Sequence, residues 1–157
     1  IEMQKGYRDA HLMASIPYDS RLVYECGSDV VDVADDTELL AGRDIAAHFL
    51  ADGCPATAIL CNNDMVAIGV IRTLLKNGTR VPEDVSVVGF DNYLYPGLCE
   101  IGITTYEVDM KEMARKALHI LIKKMNGEHY RQGISIVEGH MVHKDSVRSL
   151  EGGSESE

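Results

Sequence analysis

Residues 55–92 read PATAILCNNDMVAIGVIRTLLKNGTRVPEDVSVVGFDN, and this stretch decides the fold. Thr57 to Cys61 is a short uncharged apolar run, the pattern of a strand buried on both faces. Asn62, Asn63 and Asp64 follow at once, residue types favoured in turns and helix N-caps. Met65, Ile68, Ile71, Leu74 and Leu75 then recur at helical spacing. Lys76-Asn77-Gly78 closes that helix with a cation in its last turn and a glycine at the left-handed exit. After the loop Val81-Pro82-Glu83-Asp84, Val85 to Phe90 forms a second buried strand. Strand, helix and strand with short links make a βαβ unit, so the two strands should run parallel.

In open α/β sheets ligands lie beyond the carboxyl ends of the strands. Asn63-Asp64 follows the first strand and Asp91-Asn92 the second, so two amide/carboxylate pairs face one crevice. Asn both donates and accepts and Asp accepts strongly, a set suited to the hydroxyls of a small polar ligand. The same residues also serve as caps and turns for purely backbone reasons, and spacing does not separate the two roles.

The stretch also closely resembles the sugar-responsive bacterial repressors of the lactose/galactose repressor family. Their hallmark is a strand ending in Asn-Asp, an Ala-x-Gly helix, and V-P-x-D-x-S-V-V-G-[FY]-D. Here these stand as Asn63-Asp64, Ala67-Ile68-Gly69, and Val81 through Asp91. The resemblance implies a periplasmic-binding-protein-like (type I) α/β fold with a doubly wound parallel sheet. Residues 1–105 would form the C-terminal lobe of an effector-binding domain, its first strand lying upstream of Ile1. Residues 106–128 would form a helix that belongs to the N-terminal lobe in relatives, 129–148 closing strands, and 149–157 a disordered tail.

Composition fits a globular domain. The 157 residues are 45% hydrophobic and 25% charged, with 25 acidic against 15 basic residues and a net charge of −10. An acidic chain without a Lys/Arg patch is repelled by phosphate backbones, so this segment should not bind DNA by itself. No apolar run approaches the ~20 residues of a membrane helix, and no secretory leader is visible. Cys26, Cys54, Cys61 and Cys99 lack CxxC spacing and read as reduced thiols in a cytoplasm, Cys61 acting as a small apolar residue.

The flanks add expectations. Residues 1–14 read as a helix with Tyr7, Ala10, Leu12 and Met13 facing inward, ended by Pro17. Gly6-Tyr7 with Ala10 resembles the family's G-[FY]-x-x-A helix, but Met3 occupies the position where most relatives carry an arginine on sugar oxygens. Arg21 to Cys26 reads as a strand. The aspartate-rich loop 27–36 lacks the spacing of a calcium loop and reads as solvated. Thr37 to Leu50 is an amphipathic helix with Leu40, Ile45, Ala46 and Phe49 inward. Ile101 to Thr105 resembles the family's Leu-Thr-Thr strand, and Val108 replaces the glutamine that usually lines the cleft. Asp109 caps a helix whose Met110, Met113, Ala117, Leu118, Leu121 and Met125 form one stripe. Ile134–Val137 and His140–His143 read as short strands, with the two histidines on opposite faces and no metal pair.

These readings converge on a binding module. The resemblance implies the effector-binding and dimerisation part of a cytoplasmic transcription repressor. Its ligand, a sugar or sugar derivative, would touch Asn63, Asp91 and Asn92, while Asp64 would cap the following helix. The expected partners are a second copy of the chain and operator DNA, the latter held by an N-terminal headpiece outside this chain. That headpiece would be the family's helix-turn-helix or, as in arabinose-responsive relatives, a winged helix. Met65, Ile68, Arg72, Tyr93, Leu94, Tyr95 and Leu98 are the expected dimer contacts. A periplasmic sugar-binding protein of a transporter is the alternative. No nucleophile–base pair, phosphate loop or metal motif supports an enzyme, and no cofactor is implied.

Overall fold

The computed structural model describes residues 2–25, 37–92, 97–128 and 133–149. Four strands form one sheet in the order β1-β2-β3-β4: β1 (Ala58–Leu60), β2 (Ser86–Asp91), β3 (Thr104–Val108) and β4 (Gly139–Val142). β1 pairs parallel with β2 and β2 parallel with β3, as the βαβ reading requires. β4 closes the far edge antiparallel to β3. Four helices accompany the sheet: α1 (Glu2–Met13), α2 (Thr37–Ala51), α3 (Asp64–Lys76) and α4 (Met110–Met125).

The core lies where α3 meets the sheet and α2 covers α3. Val66, Ala67, Ile68, Val70, Ile71 and Leu74 of α3 join Ala46 and Phe49 of α2 and Val85, Val87 and Ile103 from the sheet side. Two glycines set how closely the helices approach. A Cβ on Gly69 would lie 2.2 Å from the carbonyl oxygen of Leu39, and one on Gly42 2.1 Å from that of Val66. No side chain fits between two backbones at that separation, so only glycine permits the crossing. The burial of α3 around most of its circumference explains why Val66 and Val70, off the main apolar stripe, are also interior.

Several expectations change. β1 is not buried on both faces: Ala58 is exposed and Leu60 is 60% exposed, because this strand is the sheet edge. Arg21 to Cys26 forms no strand within the described residues. Ser20–Leu22 is a 3-10 turn instead, because the Asp19 carboxylate accepts from both the backbone and the guanidinium of Arg21 and curls the chain. Cys26 and the acidic loop lie outside the described residues.

In α1 only Tyr7 of the expected inward residues is half-buried, whereas Leu12 and Met13 are 79% and 87% exposed. The helix contributes nothing to the core. It packs on the segment after it, through edge-to-face contacts among Tyr7, His11 and Tyr18. In α2, Leu40 is exposed rather than inward. α4 begins and ends where expected, with Asp109 accepting from the Glu112 N–H at 2.9 Å. Its apolar stripe faces no sheet, and none of its residues is buried. Ile134–Val137 is not a strand. β4 alone closes the sheet, with its Gly139 N–H donated to the Tyr106 hydroxyl.

Candidate functional site

The polar residues gather beyond the carboxyl ends of β1, β2 and β3, and their roles differ from the expected ones. Asn63, not Asp64, caps α3: its Oδ1 accepts from the Val66 N–H at 2.8 Å. Its Nδ2 donates to Glu38 Oε1 at 2.8 Å, tying the cap to the first turn of α2. Asp64 is the helix's first residue and is 2% exposed. Its carboxylate reaches across β2 to β3, where Oδ1 accepts from the Thr105 hydroxyl at 2.7 Å. The gap that permits this is Gly89, which stands level with Thr105 in the ladder. A Cβ there would fall 2.1 Å from Asp64 Oδ1.

Asp91 and Asn92 end β2 in a conformation that L-residues rarely adopt, with φ of 98° and 51°. Such strain persists only when the surroundings hold it. Here they do. The Asn92 N–H donates to the Asp64 carboxylate. Its side-chain Nδ2 donates to Glu107 Oε2 at 2.6 Å, and its Oδ1 accepts from Lys144 Nζ at 2.7 Å. Asp91 lies beside Glu107 in the parallel register, two carboxylates side by side, and Asn92 with Lys144 offsets the crowding. Burial pushes the Asp64 carboxyl above its usual range, against the pull of Thr105, the Asn92 N–H and Lys144, and Asp91 adds to the rise.

The strand ends therefore bring Asn63, Asp64, Asp91 and Asn92 near one another, with Asn63 and Asp64 buried rather than open to a crevice, and join them to Glu38, Thr105, Glu107 and Lys144. Glu38 and Lys144 carried no motif. They are found only through contacts 25 and 52 residues along the chain. Val108 is the last residue of β3, and Met3 lies exposed in the first turn of α1. The described residues hold no His/Cys/Asp/Glu group arranged for a metal ion. A groove of about 390 Å³ lined by Arg8, His11, Leu12, Ile16 and Tyr18 shares no residue with this cluster.

The expected dimer contacts separate into three groups. Ile68 is 1% exposed and belongs to the core, because α3 is covered on that side by its own chain. Met65 is half-buried against the same core. Arg72 is on the surface, where its guanidinium donates to the Leu98 carbonyl at 2.9 Å and meets Glu100 at 3.4 Å. Leu98 is exposed. Tyr93, Leu94 and Tyr95 lie outside the described residues.

A mixed sheet, parallel through β1, β2 and β3, with amide and carboxylate groups gathered past those strand ends is the α/β arrangement in which small ligands lie beyond the carboxyl ends of the strands. The chain belongs to the periplasmic binding protein-like domain family, whose model matches residues 1–147. Its relatives are LacI-family transcription regulators. It is 32% identical over 96 residues to the HTH-type transcriptional repressor CytR of Escherichia coli (strain K12), covering 61% of this chain and 28% of that protein. It is 29% identical over 147 residues to the HTH-type transcriptional regulator CelR of Thermobifida fusca, covering 93% of this chain and 40% of that protein. Among solved structures, a LacI-type transcription regulator from Bifidobacterium animalis subsp. lactis superposes with a TM-score of 0.80 at 26% identity, over 92% of this chain and 49% of that one. A CelR–cellobiose complex gives 0.73 at 26% identity, over 91% and 41%. The chain thus spans less than half the length of these relatives.

Proposed function

We propose that this chain is the ligand-sensing and dimerising part of a cytoplasmic transcription repressor and performs no catalysis. The observation that supports it is the pair Asp91-Asn92, held in a strained conformation at the mouth of parallel strands by Asp64, Glu107 and Lys144. Strain maintained by a dedicated polar network fits a binding site better than a turn, which any glycine would satisfy. In this reading the Asp91 carboxylate faces a small polyhydroxylated effector, and the second side-chain amide hydrogens of Asn92 and Asn63, left over from their bonds to Glu107 and Glu38, add donors. The sensor role also accords with relatives named as repressors and with the cellobiose complex of CelR. These relatives favour a repressor over a transporter's periplasmic binding protein.

The dimer contact would be built from Arg72, Leu98 and the adjoining Tyr93, Leu94 and Tyr95, with Met65 at its margin. The lac repressor, solved as a dimer on its operator, superposes with a TM-score of 0.63 at 25% identity over 69% of this chain and 37% of its own. DNA would be held by a headpiece preceding this segment, and the effector would act only through its different affinity for the DNA-competent and DNA-released arrangements.

The test is to bind the full-length protein to fluorescent DNA from its own promoter and titrate unmodified sugars and nucleosides. Release of the DNA by one of them, abolished in Asp91→Ala, supports the reading. Specific DNA binding that no small molecule alters, or a full-length gene product without any DNA-binding headpiece, overturns it.

A further inference from the structure

The charge of the strand-end site narrows the effector's chemistry. Glu38 and Glu107 accept from the Asn63 and Asn92 side-chain amides, Asp64 accepts from the Asn92 backbone, and Asp91 is close enough to Asp64 to raise its pKa. Lys144 is the cation bonded into this network, and its ammonium is already engaged by Asn92 Oδ1. Among the described residues, His140 stands opposite Glu107 in the β3–β4 register and adds a second basic side chain there. Even with His140 charged and Asp64 carrying a proton, Glu38, Asp91 and Glu107 outnumber the two cations. The amides cannot compensate. Asn63 spends its oxygen on the helix cap, and Asn92 spends a donor on Glu107 and its oxygen on Lys144. What remains open toward a ligand is mainly carboxylate oxygen, an acceptor that demands hydroxyl or ammonium hydrogen.

We propose that, granted the sensor reading above, the effector is an uncharged polyol or an amine-bearing sugar or nucleoside, and that phosphorylated and carboxylated analogues are excluded by this chain's half of the site. A phosphate monoester brings nearly two negative charges. Set near uncompensated carboxylates in a partly desolvated crevice, it should bind at least about tenfold more weakly than its parent.

The experiment uses matched pairs on the full-length protein by calorimetry: ribose with ribose 5-phosphate, uridine with its 5′-monophosphate, and glucose and glucosamine with glucose 6-phosphate and glucuronate. In whichever series binds, the neutral or amine member should win by at least about tenfold, and Glu107→Gln should shrink the difference. A phosphorylated or carboxylated member binding as tightly as its parent overturns the charge inference while leaving the sensor reading in place. A second measurement needs no effector. In an isotope-labelled sample, the Asn92 side-chain amide resonances should move with millimolar glucosamine and not with inorganic phosphate. Movement with phosphate alone overturns the inference. Silence of every pair, with Asn92 unmoved by both probes, overturns the inference and the sensor reading together.

Discussion

Gly89→Ala tests the geometry at its tightest point. The added methyl would lie 2.1 Å from Asp64 Oδ1 and 3.2 Å from the Ile103 side chain. Backbone retreat is prevented by the ladders on both sides of β2, so Asp64 must rotate away. Rotation breaks its bonds with the Thr105 hydroxyl and the Asn92 N–H. A hydrogen bond to a charged group contributes about 1.5–3 kcal/mol. Replacing glycine by alanine in a strand returns about 0.5–1 kcal/mol through the unfolded chain. With two such bonds lost and that return subtracted, the net loss should be about 2–5 kcal/mol, an easily resolved fall in the urea midpoint by far-UV circular dichroism. A double-mutant cycle isolates the cause. In an Asp64→Ala background the clash has no partner, and Gly89→Ala should cost less than about 0.5 kcal/mol. Equal cost in both backgrounds would refute the claim that Gly89 exists to let Asp64 cross β2.

Removing the α3 cap by Asn63→Ala should cost about 1–2 kcal/mol in urea unfolding and also free Glu38. Gly69→Ala should be the more damaging change, about 3 kcal/mol or more, because its methyl meets the Leu39 carbonyl rather than a movable side chain. Because the folded state raises the Asp64 pKa, the folded protein holds that proton more tightly than the unfolded chain. Its contribution to stability is full below the unfolded value near 3.8 and lost as pH rises through the folded value. Stability of the native protein relative to Asp64→Asn should therefore fall as pH rises above about 4, and a difference independent of pH would contradict the assignment. Burial pushes the Cys61 thiol up to about 12, whereas Cys54 is exposed. Peptide mapping after brief iodoacetamide treatment at pH 8 should find Cys54 labelled and Cys61 untouched until the protein is unfolded.

The sequence alone was sufficient for the βαβ unit, its parallel pairing and the meeting of two amide/carboxylate pairs. Those features depend on the spacing of apolar residues and on turn chemistry, both local properties of the chain. Local patterns could not say which member of Asn63-Asp64 caps the helix, since either residue type serves. That was decided by Thr105, 41 residues away, which offers Asp64 a hydroxyl through the gap left by Gly89. The apolar stripe of α4 and the inward face of α1 were legible as patterns, but whether a stripe is covered depends on what stands opposite it. Glu38 and Lys144 were illegible for a related reason: a lone Glu or Lys carries no periodicity, and only the folded chain brings each to an amide it can bond. The sequence by itself therefore determined the strand–helix–strand frame and the polar types at its mouth. The tertiary structure determined which of them are locked to one another and the net charge they present, because that balance is set by contacts between segments far apart in the chain.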